Sequence, residues 1–254
     1  MTGPSSQEGI DVVGVRVRDA NMDEVVTEIL DWTERPGPVR VAVGVNAHVC
    51  NQATRDVGFR KLIRDAELAY ADGQSIVWAA RLLGRRLPER VATTDLVFPL
   101  TRAAAVAGKR VFLYGSAPGV AERAAARLVE LQPGLQIETS DGYVPADQMD
   151  ALVHRINTFE TDILFVGLGD PRQQEWVSQH RDALQVPAVL TCGGLLDWTS
   201  GANRRPPQWM VRGGLEWFWR VLIEPRRLAA RYLLGNPAFV MRVLRQYFAD
   251  RRSR

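Results

Sequence analysis

The sequence predicts an α/β fold, a mostly parallel sheet flanked by helices with a helical appendage at the C-terminal end. Three observations carry this. Short apolar runs alternate with amphipathic stretches as far as residue 192, the order of repeated β-α units. The runs VRVAVGV, RVFLYG, DILFVG and VPAVLTC are apolar almost throughout, as strands covered on both faces are. Beyond Cys192 the pattern gives way to a turn-rich stretch and then to arginine-rich helices.

Taken in order, DVVGVRV reads as a strand. NMDEVVTEILDWTER reads as a helix with Asn21 as N-cap and Glu24 three residues on, a capping box with Asn in place of Ser or Thr. VRVAVGV is a second strand, left through Asn46, Ala47 and His48, and a helix is expected over about 51–64. ELAYA is a buried strand. It runs into Asp72, Gly73 and a helix with apolar spacing through Ile76, Val77, Ala80 and Leu83. A helix over about 95–106 precedes the strand RVFLYG, and GSAPG turns that strand into a helix reaching Leu131. LQIETS, a helix over about 147–159, DILFVG, a helix from GLGDPRQQEW to about Leu184, and VPAVLTC complete the alternation. Right-handed crossovers make such a sheet Rossmann-like. GGLLDWTSGANRRPPQWMVRGG reads as a loop with a short helix. Two helices follow, GLEWFWRVLIEPRRLAARYLLG and NPAFVMRVLRQYFADRRSR, punctuated by Pro225 and Pro237. The expected division is a catalytic domain over 1–205 and a basic amphipathic appendage over 206–254.

Length and composition bound the function. The 254 residues are 46% apolar with seven tryptophans, enough for a full core. MTGPSSQEG is polar and lacks the pattern of a signal peptide, and no apolar run of about 18 residues predicts a spanning helix. Cys50 and Cys192 show no metal or disulfide spacing and weakly favour a reducing compartment. The net charge of +3 divides unevenly. Residues 212–254 hold ten arginines against Glu216, Glu224 and Asp250, a net +7 that leaves −4 for residues 1–211. Arg220, Arg226, Arg227 and Arg231 lie among Trp217, Phe218, Trp219, Leu222 and Leu228. This suits an anionic membrane surface or nucleic acid, and the absence of Lys with the aliphatic content favours lipid.

Candidate site residues cluster at predicted strand ends. Asp72 stands where a strand passes into a helix, the edge of an open α/β sheet at which ligands bind. With Arg85, Arg86 and Arg90 one helix-length away, it suits proton removal near an anionic substrate. On pattern alone, a helix cap is the stronger reading of Asp72, and Asp95 shares it. Three glycine turns, Gly115–Gly119, Gly167–Gly169 and Gly193–Gly194, follow strands and suit a phosphate at a helix N-terminus, or serve as plain turns. Asn46 and His48 can hydrogen-bond a sugar or form a turn. Cys192 reads as a buried structural residue. A nicotinamide-dependent oxidoreductase on the same sheet would carry G-x-G-x-x-G, which is absent. A non-enzymatic membrane-surface protein would not need Asp72.

Five blocks in order, ADGQSIVWAARLLGRRLPERV, RVFLYGSAPGVAERAAARL, DILFVGLGDPRQQEW, GGLLDWTSGANRRPPQWM and GLEWFWRVLIEPRRLAARY, resemble the WecG/TagA/CpsF glycosyltransferases (glycosyltransferase family 26). The resemblance covers about 10–234. It implies an inverting transfer, without metal or cofactor, from a UDP-sugar such as UDP-N-acetylmannosamine to a polyprenyl-diphosphate-linked sugar in cell-surface polysaccharide synthesis. It implies a cytoplasmic enzyme at the inner membrane face, with no nucleic-acid partner and with a homo-oligomer open to it. The implied base is Asp72, and the implied substrate-binding residues are Asn46, Arg90, Asp95, Gln173 and the glycines Gly115, Gly167, Gly169 and Gly193. Arg220 and Arg227 are implied to meet the lipid diphosphate. The chain departs from the family pattern at Gly44, where Thr is frequent, at Thr93-Thr94-Asp95 in place of G-I-D, and at Gln174 in place of Glu. Further departures are Pro206 in R-A-P and Ala230 in R-R-Y.

Overall fold

The stretch read as one strand, DVVGVRV, folds as a hairpin. In the computed structural model β1 (Gly9–Val12) pairs antiparallel with β2 (Val15–Arg18). The two turn residues, Val13 (φ 55) and Gly14 (φ 77), are both left-handed, the geometry of a two-residue hairpin turn. A β-branched residue resists that conformation. The Val13 N–H is held by Gln246 Oε1 at 2.8 Å and the Gly14 N–H by Asp11 Oδ1 at 3.0 Å. The structure describes residues 9–35, 37–201, 207, 210, 216–223 and 225–252, apart from the side chains of 216, 220, 225–227, 230 and 231.

The main elements follow the predicted order. They are α1 (Met22–Thr33), β3 (Arg40–Val45), α2 (Ala47–Arg55), α3 (Val57–Arg64), β4 (Leu68–Ala71), α4 (Gln74–Leu82), α5 (Thr93–Val106), β5 (Arg110–Gly115), α6 (Val120–Leu131), β6 (Gln136–Ser140), α7 (Met149–Thr158), β7 (Ile163–Gly167), α8 (Arg172–His180), β8 (Ala188–Thr191), α9 (Leu195–Thr199), α10 (Glu216–Ile223) and α11 (Pro225–Arg252). The Asn21–Glu24 capping box forms with both reciprocal bonds. The single helix expected over 51–64 starts earlier and is two helices. Asp56 ends α2 and caps α3 by accepting the Phe59 N–H at 3.0 Å. In the tail α11 starts at Pro225, whose fixed φ suits a first helical position, and Pro237 lies inside that helix.

Six parallel strands form the sheet in the order β4-β3-β8-β7-β5-β6. Side chains alternate between two cores. Val41, Val43, Val45, Phe112, Tyr114, Leu164, Val166 and Val189 pack under α2, α3, α4, α7 and α8. Ala42, Val111, Leu113, Ile163, Phe165, Ala188 and Leu190 pack under α1, α5, α6 and α9. Connections moving toward β4 cross the first face and those moving toward β6 cross the second, as one constant handedness requires. The neighbours β5 and β7 therefore send the chain in opposite directions and leave a crevice between them at the carboxyl edge.

The long helix α11 adds to the first core. Phe239 and Val243 belong to it, 3% exposed each. Polar ties fix the same face: Asn51 Nδ2 donates to the Gly235 carbonyl at 2.7 Å, Arg242 donates to Asn51 Oδ1 at 2.5 Å, and Gln246 Nε2 donates to the Asp11 carbonyl at 3.0 Å.

Candidate active site

Asp72 follows β4 directly. Its N–H and that of Gly73 both donate to the Val45 carbonyl at the end of β3, at 3.0 and 3.1 Å. This ties the two strand ends together and turns the carboxylate away from α4. The N-cap of α4 is Gly73, without a side-chain bond. The cap reading of Asp72 is thus corrected in its target. Oδ1 accepts the N–H of Thr93 at 2.8 Å, in the first turn of α5, whose own N-cap Ala92 has no side chain to offer. Oδ2 accepts Asn46 Nδ2 at 3.2 Å. Asn46 is itself the N-cap of α2, its Oδ1 accepting from the N–H groups of His48 and Val49 at 3.0 and 3.3 Å. One amide therefore starts a helix and aims a carboxylate.

Beneath Asp72, Tyr70 Oη and Thr93 Oγ1 share a buried hydrogen bond of 2.8 Å. Desolvation, with the Asp72 charge adding to it, pushes the Tyr70 phenol up, so it stays neutral. Gly44 leaves room for this pair. A Cβ at Gly44 would lie 2.7 Å from Thr93 Oγ1 and 3.0 Å from Asp72 Cβ.

Asp72, Asn46, Arg90 and Thr94 are among the residues lining a cavity of about 380 Å³. Arg90, 13% exposed, is ion-paired with Asp95 at 3.7 Å. The carboxylate of Asp95 thereby orients the guanidinium on the cavity wall. Of the three arginines grouped in sequence, Arg90 alone lines this cavity. Arg86 lines a separate depression with Asp19, Val77 and Arg81, and Arg85 is exposed. The side chains of Arg220 and Arg227 lie outside the described residues. His48 lines the cavity beside Asn51.

The glycine turns gather at the β5–β7 crevice and its neighbour β8. Gly115 and Gly167 sit side by side in register. With φ at 140°, Gly115 holds a conformation that suits glycine, and a Cβ there would fall 2.4 Å from the Gly167 oxygen. The backbones meet here without side chains between them. Ser116, also left-handed (φ 61), donates through Oγ to Asp197 at 3.2 Å. Gly169 and Gly193 turn the chain after β7 and β8. Gln173, 4% exposed, bridges these loops: its Oε1 accepts the Gly193 N–H at 2.9 Å and its Nε2 donates to Asp170 at 2.8 Å. Gln174 donates to the same Asp170 oxygen at 2.7 Å. Cys192 is buried beside Gly167 and burial pushes its thiol up, which fits the structural reading. Three strand spacings separate β4 from β7, roughly 14 Å. A ligand bound across this edge must therefore be long.

The Glycosyl transferase WecG/TagA/CpsF family matches residues 10–253, nearly the whole chain. The chain belongs to this family. It is 28% identical over 240 residues, 94% of this chain and 93% of the relative, to the N-acetylglucosaminyldiphosphoundecaprenol N-acetyl-beta-D-mannosaminyltransferase of Staphylococcus aureus (strain NCTC 8325 / PS 47). The proteins of that name from strains COL and MW2 match to the same extent. The protein is a glycosyltransferase, and two of its departures from the family pattern now meet in space. Gly44 and Thr93 occupy one volume, so a side chain at the first position and a hydroxyl at the second exclude each other. Sequence reading missed Tyr70, hidden in an apolar strand, and Ser116 and Asp197, which lie 81 residues apart. Among the described residues no three His, Cys, Asp or Glu side chains gather as metal ligands, and no helix is long and apolar enough to cross a membrane.

Proposed function

We propose that the protein transfers a sugar, N-acetylmannosamine or a similar hexose, from a UDP-sugar to a polyprenyl-diphosphate-linked sugar, with inversion. The observation that carries this reading is the carboxylate of Asp72, fixed at both oxygens and facing a cavity at the carboxyl edge of the sheet. The names of the Staphylococcus aureus relatives support the acceptor class. The acceptor hydroxyl loses its proton to Asp72 as it attacks the anomeric carbon, and UDP leaves from the opposite face toward the glycine crevice. Backbone N–H groups at the turns after Gly115, Gly167 and Gly193, together with helix N-termini, take up the charge developing on the diphosphate without a metal. Arg90, aimed by Asp95, meets the acceptor diphosphate, with Arg220 and Arg227 as its further partners.

In this reading residues 1–205 carry the chemistry and 206–254 form an appendage that brings a peripheral enzyme to the cytoplasmic membrane face. The test is UDP release from a panel of UDP-sugars with a prenyl-diphosphate-linked N-acetylglucosamine analogue, for wild type and Asp72→Asn. Acceptor-dependent release with one donor, reduced at least a hundredfold by the substitution, is the expected result. Near-normal turnover by a folded Asp72→Asn chain would remove the base assignment.

A further inference from the structure

The first turn of α8 holds a hydrogen-bond cluster that the chemistry at Asp72 leaves unused. Gln173 and Gln174, adjacent and both buried, donate through Nε2 to a single oxygen of Asp170, Oδ1, at 2.8 and 2.7 Å. The other end of the Gln174 amide is orphaned: its Oε1 is buried and accepts no hydrogen bond among the described residues. A buried oxygen left unpaired is destabilising, and an apolar side chain of similar length would fill the same space without that cost. What Gln174 alone supplies is the N–H that Asp170 accepts. Asp170 in turn settles how Gln173 is used. A carboxylate only accepts, so it draws the Nε2 side of the Gln173 amide and turns Oε1 the other way, where it accepts the Gly193 N–H at 2.9 Å. Gly193 is left-handed (φ 54) and opens the turn into α9. A Cβ at Gly167 would stand 2.9 Å from the Gly193 oxygen, so this turn lies against the end of β7. The same α9 carries Asp197, which accepts Ser116 Oγ after β5 at 3.2 Å. One relay therefore joins the loops after β7, β8 and β5, and it starts at Asp170.

We propose that Asp170 is a positioning residue for the donor half of the site. Through the Gln173 amide it fixes the turn after β8, so that the three loops around the β5–β7 crevice form one frame for the nucleotide diphosphate. This deepens the proposed placement of UDP at that crevice and rests on it. Asp170 follows β7, three strand positions from the end of β4 where Asp72 stands, so its effect falls on the donor and leaves acceptor binding untouched. The cluster also accounts for the amide at 174. A carboxylate there, as in the family pattern, would face Asp170 across the 2.7 Å that Nε2 now spans, and two carboxylates at that distance disfavour each other's charged form. Asp170 and Gln174 are thus one choice: an acceptor at 170 requires a donor at 174.

The test combines UDP binding by calorimetry, transfer kinetics with donor and acceptor varied separately, and hydrogen exchange of the Gly193 amide in the unliganded chain. The chains are wild type, Asp170→Ala, Asp170→Asn, Gln174→Glu and the double variant Asp170→Asn with Gln174→Glu. A hydrogen bond to a charged group corresponds to about tenfold in affinity. Asp170→Ala and Gln174→Glu are expected to weaken UDP and raise the donor KM by about that factor, with the acceptor KM unchanged and Gly193 exchanging faster. Asp170→Asn keeps an acceptor for both amides and loses less. The double variant restores a donor and an acceptor with their places exchanged, and is expected to regain most of what Gln174→Glu loses. A part played only in folding would lower kcat through the active fraction, leave both KM values in place and show no rescue, and that result would overturn the proposal while leaving the transferase reading intact. Losses that differ from one UDP-sugar to another would make Asp170 a direct ligand of the sugar and overturn it as well. Faster Gly193 exchange in Asp170→Ala, with a wild type that binds no UDP, would leave the relay from Asp170 standing and bring down the placement of UDP at the crevice.

Discussion

Asn46 performs two tasks with two different atoms, and substitution can separate them. Its Oδ1 caps α2 and its Nδ2 orients Asp72. Asn46→Ala removes both, and loss of the cap alone costs about 1 kcal/mol of stability. Asn46→Ser keeps an acceptor for the first turn of α2, since serine caps as well as asparagine, but has no amide to reach across 3.2 Å to Asp72. It should therefore be more stable than Asn46→Ala by about the 1 kcal/mol of the cap. A hydrogen bond to a charged group contributes roughly 1.5–3 kcal/mol. If that alignment is felt in the transition state, kcat falls roughly 10- to 150-fold. The two readouts are urea unfolding and initial rates at saturating donor and acceptor. Asn46→Asp is the complementary probe: it also caps, but it sets a second carboxylate against Asp72 and should lower kcat further. A Ser variant with wild-type kcat would refute the positioning argument. A Ser variant whose KM rises with kcat unchanged would instead make Asn46 a direct substrate ligand.

Other outcomes follow from the same geometry. Gly44→Thr should destabilise the chain by about 1–3 kcal/mol through overpacking, because its Cβ meets Thr93 Oγ1 at 2.7 Å. The pair Gly44→Thr with Thr93→Gly should recover most of the loss, read as a double-mutant cycle in Tm and kcat, and additive losses would show that the two sites do not share a volume. Gly115→Ala should cost about 2 kcal/mol or more, given its φ of 140° and the carbonyl 2.4 Å away, and should abolish UDP binding by calorimetry. Burial pushes the Tyr114 phenol up to about 12 and raises Tyr70 as well. The unfolded chain therefore releases these protons first, near pH 10, so stability is full below that value and falls as pH rises through the window from about 10 to 12. Tyr114→Phe should shallow that alkaline slope in pH-dependent melting curves.

The fold was legible because its strands are buried on both faces and its helices are amphipathic, so periodicity alone separated them. What periodicity could not see was local backbone geometry. Val13 and Gly14 turn a continuous apolar run into a hairpin, held by a glutamine 233 residues away. Asp56 breaks a helix by capping the next one, and Gly58, already inside that second helix, does not mark the boundary itself. At the site, sequence placed Asp72, Asn46 and the glycines at strand ends, where the structure has them. It could not reveal that Asp72 bonds to the first turn of α5 rather than its own helix. Nor could it show that Gln173 spans the loops after β7 and β8, because both facts depend on strand order and not on spacing. The Gly44–Thr93 complementarity was present in the text as two separate oddities, and adjacency of β3 and α5 joins them.

The bond between Val13 and Gln246 also bears on timing. During translation the hairpin at 9–18 emerges some 233 residues before its clamp, roughly ten to fifty seconds at ordinary elongation rates. Over that interval the sheet and its carboxylate can form while the wall supplied by Phe239 and Val243 is still inside the ribosome. The nascent chain would hold an open, water-filled half-site, and its second wall would close over Asp72 only when synthesis is nearly done.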